Sequence, residues 1–222
     1  MTTITPDYET AAIKATETLI KYNVSFAPIA PLPIIKSIPG ILVVSFAEMA
    51  ERMSIERNNI ISAFGSTNQD AVTVVKNIGG KTRYLVAYNQ RLPLYLLQRA
   101  LARELGHIIL GHDGSLPEET RIKEALCFAQ HFLCPRALIK SIQDQNIPLT
   151  VEVVGNITGC YERCLANMRK TPGTHIPASL NRKIKEQFAD YIENYVAFQC
   201  VLKDDDESML ANFGTFMDGY EE

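Results

Sequence analysis

Between Leu94 and Gly111 the sequence repeats Leu94, Leu97, Leu101, Leu105 and Ile108 at helical spacing, yet sets Arg103, Glu104 and His107 into the same stretch. Spacings of three and four put apolar residues on one face of a helix, and Gly111 is well placed to stop it. At about 100° per residue, Ala100, Arg103, Glu104 and His107 share one sector beside the Leu97/Leu101/Ile108 stripe. A helix this apolar belongs against a core. Its three polar residues must therefore line a cleft or neutralise one another in the interior.

The other elements are read around that helix. Residues 6–22 form a helix with Thr5 as its cap, Pro6 at its first position, and Ala12, Ile13, Leu19 and Ile20 on one face. Pro28, Pro31, Pro33 and Pro39 make residues 26–40 a connector, with at most a short helix at Leu32–Ile38. Ile41–Phe46 is β-rich, and Ala71–Val75 and Tyr84–Tyr88 flank Gly79-Gly80 as an antiparallel hairpin. A second long helix runs from Pro117 to Leu133, carrying Ala125, Leu126, Ala129 and Phe132, and Pro135 closes it. Further helices are expected at 136–144, 149–155, 159–169 and 181–201. The expected class is α+β, mainly helical with a small antiparallel sheet. Residues 1–140 would form the core domain, 141–203 a helical C-terminal region and 204–222 an acidic tail.

With 22 basic against 25 acidic residues among 222, the net charge of −3 argues against nucleic-acid binding through overall basicity. Arg182, Lys183 and Lys185 read as a solvated helix face, and Arg163, Arg169 and Lys170 are thin support for a recognition helix. Direct nucleic-acid binding is not expected. No apolar run approaches the ~18–20 residues of a spanning helix, and the opening MTTITPDYET has neither a basic nor an apolar signal region. No membrane partner and no secretory signal are expected. Five cysteines, an odd number scattered in apolar segments, point to a reducing cytoplasm. Cys127/Cys134 and Cys160/Cys164 could share helix faces, but without a C-x-x-C or Cys/His pattern they read as buried thiols.

A metallopeptidase helix needs two imidazoles four residues apart, gripping one Zn²⁺ from one face. The Glu beside the first acts on the metal-bound water as general base. Glu104 and His107 occupy the second and last places of that H-E-x-x-H pattern, and Arg103 stands where the first His is required. Taken alone, Glu104 and His107 also fit a structural ion pair. Periodicity does not aim Glu124 at them, since it lies opposite the best apolar stripe of its helix.

Tyr88-Asn89, Ala102-Arg103-Glu104-Leu105-Gly106-His107, Leu110-Gly111-His112, Glu124-Ala125-Leu126-Cys127-Phe128-Ala129 and Leu133-Cys134-Pro135 together resemble the ImmA/IrrE family of metallopeptidases. The likeness covers roughly residues 25–140. It implies a zincin-like fold, a small antiparallel sheet packed on helices with the motif helix at the centre. It further implies Zn²⁺ as cofactor, Glu104 as general base, and His107 and Glu124 as second and third zinc ligands. The partners it implies are peptides or proteins, transcriptional repressors among them.

Arg103 departs from that pattern, since a guanidinium stays protonated and has no lone pair for a metal. Three roles are open to it. One is to face solvent, another to act as a metal surrogate whose fixed charge sits between Glu104 and Glu124, and the third to leave the metal to a replacement ligand. His112, five residues beyond His107, and His131, seven beyond Glu124 on the same stripe, are the candidates, and each also reads as an ordinary surface or core histidine. Two functions follow. One is a catalytically impaired relative that binds a regulator or peptide, and the other an active zinc-dependent endopeptidase using a replacement ligand.

Overall fold

In the computed structural model, which describes residues 4–63, 70–159 and 174–202, Asp7 rather than Thr5 starts the first helix. Its Oδ1 accepts the Thr10 backbone N–H at 2.9 Å, and α1 runs Tyr8–Lys21 with Pro6 left outside. A carboxylate that satisfies a first-turn N–H and faces the helix dipole is the stronger cap. The proline-rich connector contains α2 (Pro31–Ser37), close to the short helix expected there.

β1 (Ile41–Ser45), β2 (Ala71–Ile78) and β3 (Lys81–Tyr88) form a three-stranded sheet in the order β1-β3-β2. β2 and β3 are the expected hairpin, with Ala71 opposite Tyr88 and Ile78 opposite Lys81. Gly79 and Gly80 have φ of 57° and 71°, and a two-residue loop with both φ positive requires residues that tolerate it. β1, however, pairs with β3 in parallel, Ile41 opposite Tyr84 and Ser45 opposite Tyr88. The expected all-antiparallel sheet is thus corrected to a mixed one. Parallel neighbours need a crossover, and α3 (Phe46–Met53), α4 (Arg57–Ala63) and the outer strand β2 provide it. Neither helix was foreseen, although Ser45-Phe46-Ala47-Glu48 carries a capping-box signature. The Ser45 side chain accepts from Glu48 N, and Glu48 Oε2 accepts from Ser45 N.

The motif helix, α5 (Leu94–Ile109), packs along α6 (Glu118–Leu133), and α1 packs on α6 as well. A methyl group at Gly106 would lie 3.1 Å from Phe128 Cδ1 and 3.2 Å from the Ala125 backbone, so this glycine permits the close approach of α5 to α6. Leu101, Ala102 and Leu105 meet Phe128, Ala129 and Phe132 in the main core, which Ala11, Ala15 and Leu19 of α1 complete. Ile142 of α7 (Arg136–Gln143) and Ile157 of α8 (Val151–Thr158) join the same core. So do Ile184 of α9 (Ala178–Gln187) and Ile192 of α10, which spans 189–202.

The single helix expected at 181–201 is divided at Phe188, which is fully buried. The Gln187 amide beside it donates to the carbonyls of Leu19 and Val24 and pins that junction to the end of α1. The expected helix 159–169 with its cysteine pair and basic residues, and the tail 204–222, lie outside the described residues. Among the described residues no helix is long and apolar enough to cross a membrane.

Candidate functional site

Along α5 the residues Arg99, Arg103 and His107 form a half-buried stripe at four-residue spacing, while Glu104 faces inward and is 3% exposed. Arg103 folds back over its neighbour. Its Nε and Nη2 both donate to Glu104 Oε1, at 2.9 and 2.7 Å, and Nη2 also donates to Ala71 O at 2.9 Å. Asn89 N donates to Asp70 O, which marks 70 and 89 as a hydrogen-bonded pair. In an antiparallel ladder the next pair, Ala71 and Tyr88, then turns its peptide groups away from one another. Arg103 therefore binds an open carbonyl at the outer edge of β2.

Burial pushes the Glu104 carboxyl above its ordinary range, and the Arg103 guanidinium is the main opposing influence. Thr73, the next outward-turned residue of β2, adds a smaller downward pull; its own buried hydroxyl makes no hydrogen bond of good geometry. A carboxylate in this position depends on its cation.

The C-terminus of α5 builds the second half of the site. Gly111, with φ of 69°, lets His112 N donate to His107 O at 3.0 Å and Gly111 N donate to Ile108 O at 3.2 Å. Those two bonds are the Schellman closure, in which the residue after the glycine returns to the one three from the helix end. His112 is thereby laid over His107, with their Nδ1 atoms 2.8 Å apart and their ring planes at 68°. On its other side His112 Nε2 lies 3.0 Å from Glu124 Oε2, and Glu124 Oε1 accepts the Asp7 backbone N–H at 2.8 Å.

Glu124, which periodicity alone leaves solvated, is 8% exposed because the start of α1 covers that side of α6. The His112 tautomer with its proton on Nε2 donates to Glu124 Oε2 and leaves its Nδ1 to accept from the Nδ1–H of His107. Burial, the neighbouring His112, and the Arg103 and Arg121 charges hold His107 down at about 3.

The expected residues thus separate into two groups. Arg103 pairs with Glu104 but makes no hydrogen bond to Glu124, whose partners are His112 and the Asp7 backbone. His131 stands two helical turns from Glu124, about 10 Å along the axis. Its Nε2 lies 3.1 Å from Thr174 Oγ1, and burial and Arg136 lower it to about 4. It does not join the cluster. Cys127 and Cys134 are buried thiols, Cys127 raised by burial to about 11. Asp7 and Ala71 escaped the sequence reading because both act through backbone atoms, which no side-chain pattern announces.

Zinc would find imidazole nitrogens of the right kind in His107 and His112. Their 2.8 Å separation is within about half an ångström of the ~3.3 Å edge of a tetrahedral site with Zn–N of 2.0–2.1 Å. Glu104 and Glu124 are both committed to other partners, and among the described residues no three His, Cys, Asp or Glu side chains converge on one ion. Beside Arg103, a cleft of about 80 Å³ is lined by Asp70, Leu96, Arg99, Ala100 and Leu126. Ligand pockets usually measure roughly 300–1,000 Å³, so this one admits a single side chain.

No protein-family model, curated protein or solved structure matches the chain.

Proposed function

We propose that this chain is a zincin-like relative of the ImmA/IrrE metallopeptidases whose hydrolytic step is silenced, and which binds a peptide or a regulator protein such as a transcriptional repressor. The observation that carries this reading is the double hydrogen bond from Arg103 to Glu104 Oε1. A general base must stand within hydrogen-bond reach of the water it deprotonates. Here the carboxylate in the base's position is occupied by a permanent cation, and that cation replaces the imidazole that would have held a metal. Its third bond, to Ala71 O, fixes the guanidinium in that pose.

Binding is supported by exposed apolar side chains at the start of the motif helix. Leu94 and Tyr95 of α5 are 70% and 45% exposed, apolar surface that a partner chain would cover. A second reading, a zinc-dependent endopeptidase that cleaves a repressor, is favoured by one observation: His112 contacts both His107 and Glu124.

A quenched fluorescent peptide library incubated with the protein and Zn²⁺ separates the two. No cleavage is expected from the wild-type chain, while selection from a displayed peptide library should yield binders retained by Glu104→Gln. Zinc-dependent cleavage that disappears in Glu104→Gln would favour the endopeptidase.

A further inference from the structure

One face of the sheet is covered by helices only in part. Val44, Ala87 and Val72 stand in one row across the three strands, on the face opposite to Val86. Phe46, Ala50 and Ile60 of α3 and α4 close over that row. The next row on the same face, Leu42, Leu85 and Val74, is left open, with Leu42 and Val74 53% and 40% exposed. Ile78, four residues beyond Val74 on this face, is 58% exposed. At ~4.8 Å between strands and ~3.3 Å per residue, these side chains outline an apolar area about 10 Å wide and 13 Å long.

Cations surround it. Lys76 and Arg83 stand opposite one another in the following row, and Lys81 stands opposite Ile78 at the turn, all three exposed on this face. Arg83 lies along the start of β1, since a methyl group at Gly40 would be 3.4 Å from its Nη1. β2 and β3 contain no Asp or Glu, and among the described residues none of these cations is paired with a carboxylate. Lysines on edge strands deter strand pairing, but Lys81 and Arg83 belong to the central strand, which has no edge to protect. A face both apolar and cationic suits an apolar segment rich in acid. A second copy laid face to face does not fit, because the same cations would meet.

The chain itself contains a segment of that chemistry. Residues 204–222 hold seven acidic residues and no basic one, together with Met209, Leu210, Phe213, Phe216, Met217 and Tyr220. All 22 basic residues of the chain precede it. From the end of α10 at 202, the ten residues before Phe213 can extend up to about 33 Å, twice the ~16 Å radius of gyration of a 200-residue domain. We propose that residues 204–222 bind the open face of the sheet in the same chain, their apolar side chains on Leu42, Val74 and Ile78 and their carboxylates on Lys76, Lys81 and Arg83. Thr73, which acts on Glu104, points to the other side of the sheet from Val74. The docking therefore does not depend on the Arg103–Glu104 pair.

The test is limited digestion of the full chain with chymotrypsin, which cuts after aromatic residues. Mass spectrometry reads cleavage at Phe213 and Phe216 against a synthetic peptide of residues 204–222. Both sites should be cut more slowly in the chain than in the peptide. Leu42→Asp with Val74→Asp, and separately Lys76→Glu with Arg83→Glu, should each raise the rate about 10-fold, because cleavage follows the fraction of chains whose tail is released. Arg182→Glu with Lys183→Glu, an equal change of charge on α9, should leave it unaltered. Should the Leu42 and Val74 changes prevent folding by circular dichroism, the exposed Lys76 and Arg83 changes carry the test. Cleavage as fast as in the peptide, or slow cleavage that a folded sheet variant does not change, overturns the proposal. So does an equal response to the Arg182 and Lys183 changes. Slow cleavage that is lost on dilution would seat the tail of a second copy on the sheet and overturn the intramolecular assignment.

Discussion

His107 and His112 occupy the two ends of one helix-closing motif, and that backbone geometry brings their Nδ1 atoms to 2.8 Å. The imidazole contact is thus a product of chain direction at Gly111 rather than of side-chain reach.

Substitution of that glycine should therefore report on the pair. Gly111 has φ of 69° and open space around its α-carbon, so a side chain there meets only backbone strain. Gly111→Ala is expected to cost about 1–2 kcal/mol, and Gly111→Asn distinctly less, because asparagine tolerates the left-handed region. Urea denaturation measures the difference. Nitrogen chemical shifts of the two rings should move in the Ala variant if the helix end relaxes. Unchanged shifts would show the rings held together without the motif.

Arg103 and Glu104 form a pair of unequal exposure, with side chains 29% and 4% accessible. Removing the cation leaves a buried carboxylate alone. Arg103→Met should cost about 3 kcal/mol, at the lower end of the range for broken buried pairs because the arginine retains some solvent. Arg103→Met with Glu104→Leu should recover most of that loss, since no charge is left stranded. A double-mutant cycle by urea denaturation checks this, and additive losses would mean that the two side chains do not depend on each other.

Much of this architecture was legible because apolar periodicity reports burial directly. The leucine stripe of α5, the Gly-Gly hairpin and the α6 helix follow from spacing and turn chemistry alone. The parallel pairing of β1 with β3 was not legible, because pairing direction depends on a crossover through α3 and α4, and those helices are short, eight and seven residues. Ser45 and Glu48 did announce α3 as a capping box. In the site, the Arg103–Glu104 pairing could be anticipated from adjacency and charge. The burial of Glu124 could not, because it depends on the start of α1, 117 residues away in sequence. Spacing left His112 beyond the helix end; what returns it is the left-handed Gly111, a conformational signal rather than a periodic one.

Gly106 tests the packing that sets the two halves of the site beside each other. An added methyl would press on Phe128 Cδ1 at 3.1 Å and on the Ala125 backbone at 3.2 Å, and a backbone cannot give way as a flexible side chain can. Better helix propensity would return somewhat under about 1 kcal/mol, whereas overpacking costs about 1–3 kcal/mol. Gly106→Ala should be net destabilising by about 1–2 kcal/mol. Recovery in Gly106→Ala with Phe128→Leu would locate the strain at the ring, and no recovery would locate it at Ala125.

The buried histidines predict how stability changes with acid. His107 and His131 are held at about 3 and about 4 in the folded chain, against an ordinary histidine value near 6.5 when unfolded. Between those limits the unfolded chain binds more protons, so stability rises with pH. The stabilising contribution is complete above about pH 6.5 and is lost as pH falls towards 4 and then 3. Glu104 works in the opposite direction, because burial raises its carboxyl and the folded chain then holds a proton that the unfolded one releases. Denaturation midpoints between pH 4.5 and 7.5 should therefore climb with pH in the wild type and climb more steeply in Glu104→Gln. The climb should flatten in His107→Gln, which removes one of the two histidine contributions. A profile that stays level in Glu104→Gln as well, where the opposing carboxyl is gone, would show that His107 and His131 are not held neutral by burial.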